Sequence, residues 1–460
     1  MIGLATYVGA ALLFSLAAVF ALGAAMEIDA RWRRLMVPAL YAFVLVYCCI
    51  ARVIYGRDLR DIFAVGLAAP PTAAAKWFTR LVVLTTLTVC VARMLAAAFS
   101  KESRGAGGGG LLVAFGLFFL TNTVLNSALG TQPQFSHDQY YVLFLFGVVY
   151  ASRTQDVETA LRFAKVGFLI FLAGSCVASV VAPELTIERN YHSLIPGVTV
   201  RFWGLESHAN SMGPVALVYL LLAIHQPFER RWLQRLGMVM GVAVLVMAQS
   251  KTTWAAAAIA VPLLLVLRAR AWGRAAFSLL TLGVLVAVAL LLLPSMGPSL
   301  EDVLATQEAQ EAATLTGRDV IWSLAVHEWM RNPLFGHGLT MWNDAYRMQV
   351  GLNHAVSAHN QFLQSLSMAG SIGLIGLLVY LGTLLRYAIR ARHGSRGLSV
   401  VLFMLVLVRC ITETPLSIDS FLSGGFVTQL LLFHVALAHG YRVVRVARPA
   451  TSLITAGRAS

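Results

Sequence analysis

An all-α, polytopic membrane fold is what this sequence predicts, and three observations carry the prediction. The composition is 58% hydrophobic and 12% charged over 460 residues, far from the balance of a soluble domain. Apolar runs of about 17–25 residues, each enough to cross a bilayer, recur along nearly the whole chain. Arginines gather in the short polar stretches between those runs. Helices satisfy their own backbone hydrogen bonds in lipid, which makes them the spanning element.

In chain order, helices are expected near 5–26, 35–51, 77–98, 111–129, 138–151, 166–182, 209–226, 236–249, 253–267, 275–293, 361–387, 397–411 and 421–439. About 12 of these (12–13) are expected to cross the membrane. The first run lacks a basic n-region and is followed by "RWRR", so no cleavable signal peptide is expected. "GAGGGG" at 105–110 reads as a glycine-rich loop without the strand-to-helix setting of a phosphate loop. The five cysteines all lie inside apolar runs, without metal-ligand spacing, and read as small core residues.

Orientation follows from the basic loops. Arg230, Arg231 and Arg235 form one group; Arg268, Arg270 and Arg274 form a second; Arg386, Arg390, Arg392 and Arg396 form a third. The tail adds Arg442, Arg445, Arg448 and Arg458. All fall on one side of the expected bundle, which makes that side cytoplasmic. This distribution, rather than a nucleic-acid partner, accounts for the net charge of +14. The opposite side then holds two longer loops, near 183–208 and 294–358. The second carries seven acids, three arginines and no lysine, and is too long for a mere connector. Three units result: a helix bundle over 1–293, a large loop with amphipathic helices over 294–358, and C-terminal helices with a basic tail over 359–460.

The unusual polar residues concentrate on that opposite side. "RFWGLESHAN" presents Arg201, Glu206, His208 and Asn210 just before a helix, with Arg189 upstream. "AQSKTTW" presents Ser250, Lys251 and Thr252 at a short turn. In "TGRDVIWSLAVHEWMRNP", Thr316 and Asp319 have N-cap spacing and Asn332-Pro333 ends the helix. Trp322, Val326, Trp329 and Met330 recur at helical spacing, so a helix lying on the membrane surface is expected. Arg318 falls in its first turn, where a cation is unfavourable unless an anion binds beside it. Pairing with Asp319 or with a lipid phosphate is the alternative.

His337 follows in "NPLFGHGL", and His359-Asn360 opens "HNQFLQSLSMAGSIG". A helix N-terminus disfavours imidazolium, which leaves His359 a neutral base able to take a proton from a hydroxyl. A buried histidine satisfied by a backbone carbonyl is the plainer reading. Lys251 can simply snorkel, His337 can serve only a turn, and His208 and Asn210 can cap a helix. Convergence favours a site: three separated segments offer basic groups and a fourth offers a neutral base. Gly370 and Gly373 permit close packing of the helix that His359 opens.

These segments, in this order, resemble the O-antigen ligase family, which is grouped with the Wzy-type polymerases. "RFWGLESHAN" is similar to its Arg-x-x-Gly…His-x-Asn segment and "SKTTW" to its Ser-(Arg/Lys)-Thr turn. "TGRDVIW" with "NPLFGHGL" is similar to the centre of its periplasmic loop, and "HNQFLQSLSMAGSIG" to its His-Asn…Gly-x-x-Gly segment. The resemblance implies a GT-C-like glycosyltransferase of the inner membrane with a periplasmic active site. It implies an undecaprenyl diphosphate-linked O-antigen donor, a lipid A-core acceptor, membrane lipid, and no nucleotide or cofactor. The family's histidine corresponds to His359, its loop arginine to Arg318, and its earlier arginine to Arg201, with Arg189 a weaker correspondence.

A departing diphosphate needs cations or a metal. No Asp-x-Asp sequence is present, and Glu301-Asp302 lies outside the motifs. Stabilisation by Arg318 and Arg201 with help from Lys251, without metal, is therefore expected. His359 as base and no second nucleophile make a single inverting displacement the simplest chemistry. A Wzy-type polymerase or a protein O-oligosaccharyltransferase would share these residues. A flippase would instead line a path across the bilayer and show pseudo-repeats.

Overall fold

A computed structural model describes residues 2–59, 72–100, 107–191, 195, 197–268, 279, 282–283, 318–352, 355–418 and 420–446. The chain is a multi-pass membrane protein built from helices. It opens with α1 (Ile2–Trp32), α2 (Met36–Tyr55), α3 (Ala73–Ala98) and α4 (Gly109–Phe119). A π-turn (Leu120–Val124) joins α4 to α5 (Leu125–Leu129), followed by α6 (His137–Ala151) and α7 (Val157–Val181). Next come α8 (Ala209–His225), α9 (Arg231–Met247) and α10 (Lys251–Arg268). The last group is α11 (Arg318–Arg331), α12 (Asp344–Val350), α13 (Gln361–Ala391), α14 (Leu398–Thr412) and α15 (Gly424–Val446).

Every expected helix has a counterpart except that near 275–293, which lies almost wholly outside the described residues, as do 294–317 and the Thr316 cap. Among the described residues, six segments are long and apolar enough to cross a membrane: α2, α3, the continuous 109–129 segment, α7, α10 and α13. Helices α8, α14 and the 424–440 part of α15 are apolar but shorter. One large apolar core unites α2, α4, α6–α8, α13, α14 and α15. Within it α2 packs on α7, α13 on α4 and α15, and α10 on α14. All five cysteines are unbridged in these helices.

Connectivity puts the arginine-rich turns at one end. Helix α8 runs from Ala209 to His225, α9 returns to Met247, α13 runs from Gln361 to Ala391, and α14 returns to Thr412. The 226–230 and 392–397 turns therefore share the end opposite His359. Arg268 joins them there, donating to the Ile224 carbonyl.

The structure departs from the sequence reading at three elements. The 183–208 stretch is more than a loop: a 3₁₀ turn (Pro183–Leu185) leads into an antiparallel ribbon of β1 (Ile187–Arg189) and β2 (Val200–Phe202). Arg57 holds its far side, donating to the carbonyls of Leu185, Gly204 and Glu206. Second, the inner face of α11 is Ile321, Ala325 and Glu328, not the stripe of Trp322, Val326, Trp329 and Met330. The buried acid Glu328 disguised that face, because it pairs with His337 at 2.8 Å. Both indoles donate to protein, Trp322 to Ala358 O and Trp329 to Pro333 O and Ser371 Oγ, rather than lying free at the interface. The inner face of α11 builds a small core with Met341, Trp342 and Tyr346.

Third, α13 is broken at Gly370, which has φ 65° and ψ −167°. A Cβ there would overlap the Leu334 carbonyl, so only glycine fits. The break frees backbone groups in a helix that crosses lipid, and the 333–338 loop satisfies them. His337 N and Gly338 N donate to Ser367 O and Met368 O at 2.8 and 2.9 Å, and Ser371 N donates to Pro333 O at 2.8 Å. From the other side, the π-turn supplies Asn122, whose Nδ2 donates to Gly373 O at 2.8 Å. A π-turn meeting a broken helix is a local departure of the kind found at functional sites.

Candidate active site

The turn before α13 is fixed atom by atom. Asn360 is the N-cap, its Oδ1 accepting from Phe362 N and Leu363 N at 3.0 and 3.1 Å, while its Nδ2 donates to Ile411 O at 3.1 Å. His359 therefore precedes the cap instead of forming it. Its φ of 46° lies in the left-handed region, uncommon for a residue other than glycine, and is held by its surroundings. Ser357 Oγ accepts from His359 N, Gln364 Oε1 accepts from Ala358 N, and Trp322 holds the Ala358 carbonyl. Arg318 lies one turn before Trp322 on the same face of α11. The indole thus registers Arg318 against the His359 turn.

Glu413, which the sequence reading passed over, is where these groups meet. It caps the C-terminus of α14 in extended conformation. His359 Nδ1 lies 3.0 Å from Glu413 Oε2, and Arg318 reaches Oε1 at 3.4 Å. Asn210 Nδ2 also donates to Oε1, at 2.9 Å. Through Asn210 the carboxylate is linked to Arg201, whose guanidinium donates to Asn210 Oδ1 at 2.6 Å and to Ala248 O at 3.0 Å. Burial alone would raise the Glu413 carboxyl. The His359 hydrogen bond and the charges of His359, Arg318 and Arg409 outweigh it and hold the group at about 2. Glu413 is consequently a carboxylate at any physiological pH.

That anion orders the imidazole. In the neutral ring, a carboxylate on Nδ1 selects the tautomer with the proton at Nδ1 and the lone pair at Nε2. Among the described residues no hydrogen bond engages Nε2. Arg201, Arg318 and Arg409 gather at this end with three carboxylates: Glu413, Glu188 opposite Arg201 across the ribbon, and Glu206 within reach of Arg409. The Nε of buried Arg409 has no hydrogen-bond partner, and guanidinium groups suit phosphate oxygens.

His208 completes the cluster in neutral form. It is the N-cap of α8, its Nδ1 accepting from Asn210 N at 3.0 Å. Burial first, then Arg201, His359 and Arg57, push its imidazole down to about 3 against the opposing pull of Glu413.

Other candidates stand apart. Arg189 is exposed because its cross-strand neighbours put Arg201 one residue out of phase: Glu188 faces Arg201, and Arg189 faces Val200. Lys251 is exposed at the start of α10, and Thr252 is half-buried beside it. Ser250 accepts from Thr253 Oγ1 at 2.8 Å, supporting the turn after Gln249. His337 is buried with Glu328 and stacks edge-on against Tyr346, away from Glu413. Of the two acids inside the motifs, Glu206 accepts from Ser207 N and Gly424 N, and Asp319 is exposed.

For Glu413 the sequence held position alone: "RCITETP" closes an expected helix at the same end as the other polar residues. Arg409, one turn earlier, was hidden inside an apolar run.

Residues 236–381 match the family described as O-antigen ligase. The match takes in α10, α11, the 332–358 segment and the front of α13, and so contains Arg318 and His359. No curated protein matches the chain. The matched family comprises glycosyltransferase-like enzymes of lipopolysaccharide biosynthesis. Residues 236–381, about a third of the chain, are thus similar to the O-antigen ligase family.

Proposed function

We propose that this protein transfers O-antigen polysaccharide from undecaprenyl diphosphate to the lipid A-core oligosaccharide at the periplasmic face of the inner membrane. Its bundle, in this reading, has about twelve membrane helices of the GT-C-like kind. The observation that carries the proposal is the Glu413 carboxylate shared by His359 Nδ1 and Arg318. It joins a general base to an anion-binding group within one hydrogen-bonded unit.

The acceptor hydroxyl gives its proton to His359 Nε2 as its oxygen attacks the anomeric carbon of the donor. The bond from that carbon to the carrier diphosphate breaks, and the electron pair leaves with the phosphate. Glu413 holds the ring and stabilises the imidazolium that forms. Arg318 and Arg201 receive the negative charge that develops on the diphosphate. Arg318 is tied to Glu413 by a contact of 3.4 Å, long enough that a phosphate oxygen can compete for the guanidinium. One base and no second nucleophile give inversion at carbon. No metal is required, because guanidinium groups meet the leaving charge; no nucleotide is required, because the carrier bond holds the energy.

The test is the lipid species that accumulates in a strain lacking the gene. Carrier-linked polymer together with unmodified lipid A-core supports ligation. Carrier-linked single repeats would make the protein a polymerase instead, and repeat units facing the cytoplasm would make it a flippase.

A further inference from the structure

The outer face of α11 changes character along its length. Asp319, Ser323 and His327 are exposed and polar, whereas Met330 and, beyond the helix end, Pro333 and Leu334 are exposed and apolar. Met330 is 64% and Leu334 56% exposed, although the turn between them is held on both sides. Towards α13, Ser371 N donates to Pro333 O at 2.8 Å and Ile372 N to Leu334 O at 3.3 Å. Towards α5, Asn332 Nδ2 donates to Leu129 O at 3.1 Å. Both neighbours face lipid at these points. Ser371, Ile375 and Leu378 share one face of α13, and Ile375 and Leu378 are exposed in a segment long and apolar enough to cross a membrane. Leu129, also exposed, ends the 109–129 segment of the same kind. The turn therefore prolongs the lipid-facing surface of two spans.

Depth gives the same answer. Arg386 is the first charged residue of α13. With its backbone at one boundary of a hydrocarbon core about 30 Å thick, Ser371, about 22 Å along the helix, falls roughly 8 Å inside the other boundary. Pro333 is bonded to Ser371 and shares that depth. We propose that residues 329–335 form a re-entrant lip whose Met330, Pro333 and Leu334 side chains lie among the acyl chains of the leaflet on the His359 side. Backbone at that depth must be satisfied by protein. The carbonyls of Asn332, Pro333, Leu334 and Gly336 each accept a backbone N–H, and Phe335 N donates to Asn332 Oδ1 at 3.2 Å. Arg331 is the one charged residue of the lip. It pairs with Glu328 at 3.1 Å and keeps a half-exposed guanidinium that can reach back to the headgroups. Acyl chains, rather than a second protein, are the occupant because the surface is continuous with the exposed stripe of α13. The lip and Arg318 are the two ends of α11, about 20 Å apart along its axis. The leaflet thereby sets the height of Arg318 relative to the lipid.

The experiment measures depth by spin-label accessibility, on full-length protein held as single copies in phosphatidylcholine nanodiscs. Met330→Cys and Leu334→Cys each receive a nitroxide, and the wild type taken through the same labelling gives the background of the native cysteines. Ile375→Cys marks the lipid-facing stripe, and Asp344→Cys, at a side chain 68% exposed on α12, marks water. Labels at 330 and 334 are expected to favour oxygen over a nickel chelate, as the label at 375 does, at a depth of about 5–10 Å below the phosphates. The label at 344 should favour the nickel chelate. Nickel access at 330 and 334 equal to that at 344 overturns the proposal, and so does protection from both reagents, which is what a protein cover would give. A second measurement needs no substitution. Phosphatidylcholine carrying a diazirine in its acyl chain is photolysed around the unmodified protein, and adducts are expected at 333–334 and at Ile375 but not at Asp344. Adducts at Ile375 without any at 333–334 overturn the lip as well.

Discussion

The carboxylate of Glu413 lies 3.0 Å from Nδ1 of His359, across 54 residues of chain. Two helix ends make that meeting: the C-terminus of α14 and the turn before α13. The same carboxylate receives Arg318 from α11 and Asn210 from α8. Four chain segments thus meet at one anion.

Arg318→Lys keeps the charge but is expected to damage transfer nearly as badly as Arg318→Ala. Lysine lacks the planar fork that can hold Glu413 with one nitrogen and phosphate oxygens with others. Initial rates of both variants check this. Full rescue by lysine would mean that Arg318 supplies only diffuse charge.

Gly370→Ala should destabilise the protein by more than about 1 kcal/mol, because alanine is strained at φ 65° and its Cβ overlaps the Leu334 carbonyl. Gly382→Ala, on the same helix with open space around it, is the comparison and should be near neutral. Thermal unfolding of the two variants in detergent reads the difference, and equal midpoints would contradict the role given to the break.

Acid should destabilise the fold in a defined window. Unfolded, the His208 imidazole takes a proton near its ordinary 6.5; folded, only at about 3. The unfolded chain binds more protons across that interval, so this contribution is complete above pH 6.5 and lost as pH falls towards 3. Glu413 acts in the same direction lower down, between its ordinary 4.5 and about 2. Unfolding midpoints between pH 7.5 and 5 should therefore fall with acid, and His208→Asn, which keeps a capping side chain, should flatten the slope. An unchanged slope in the variant would remove His208 as its source.

Transfer is expected to run at its full rate in excess EDTA with no nucleotide added, since guanidinium groups take the leaving charge. Loss of activity on chelation, restored by magnesium or manganese, would overturn the arginine-based mechanism. Magnesium wants oxygen ligands, and Glu413 and Glu206 would then be the carboxylates to examine.

Much of this was legible before the structure. Apolar runs placed the helices, because length and composition decide what crosses lipid. Arg201, Asn210, Arg318 and His359 were legible as polar groups at one end, and they do share one network. Glu413 was not, since a lone acid in a loop carries no periodicity and gains meaning only from contacts 54 and 95 residues away. Gly370 was read as a packing glycine, because φ is invisible in a sequence that otherwise scans as one helix. Glu328 drew no reading in the sequence; it is buried against His337, a partner that no helical pattern predicts. Arg189 and Lys251 looked like Arg201 and Arg318 in charge, and only strand register and helix phase set them apart.

His359, oriented by Glu413, is the proposed base for glycosyl transfer. The direct measurement is single-turnover transfer by purified enzyme given carrier-linked donor and lipid A-core acceptor, with donor binding measured in parallel. His359→Ala and Glu413→Gln are each expected to slow the chemical step by roughly 10²–10⁴-fold while donor affinity changes little, and the double variant should be no slower than the worse single one, as for residues acting as a unit. Near-normal single-turnover rates in either variant, or losses that multiply in the double variant, would contradict the claim.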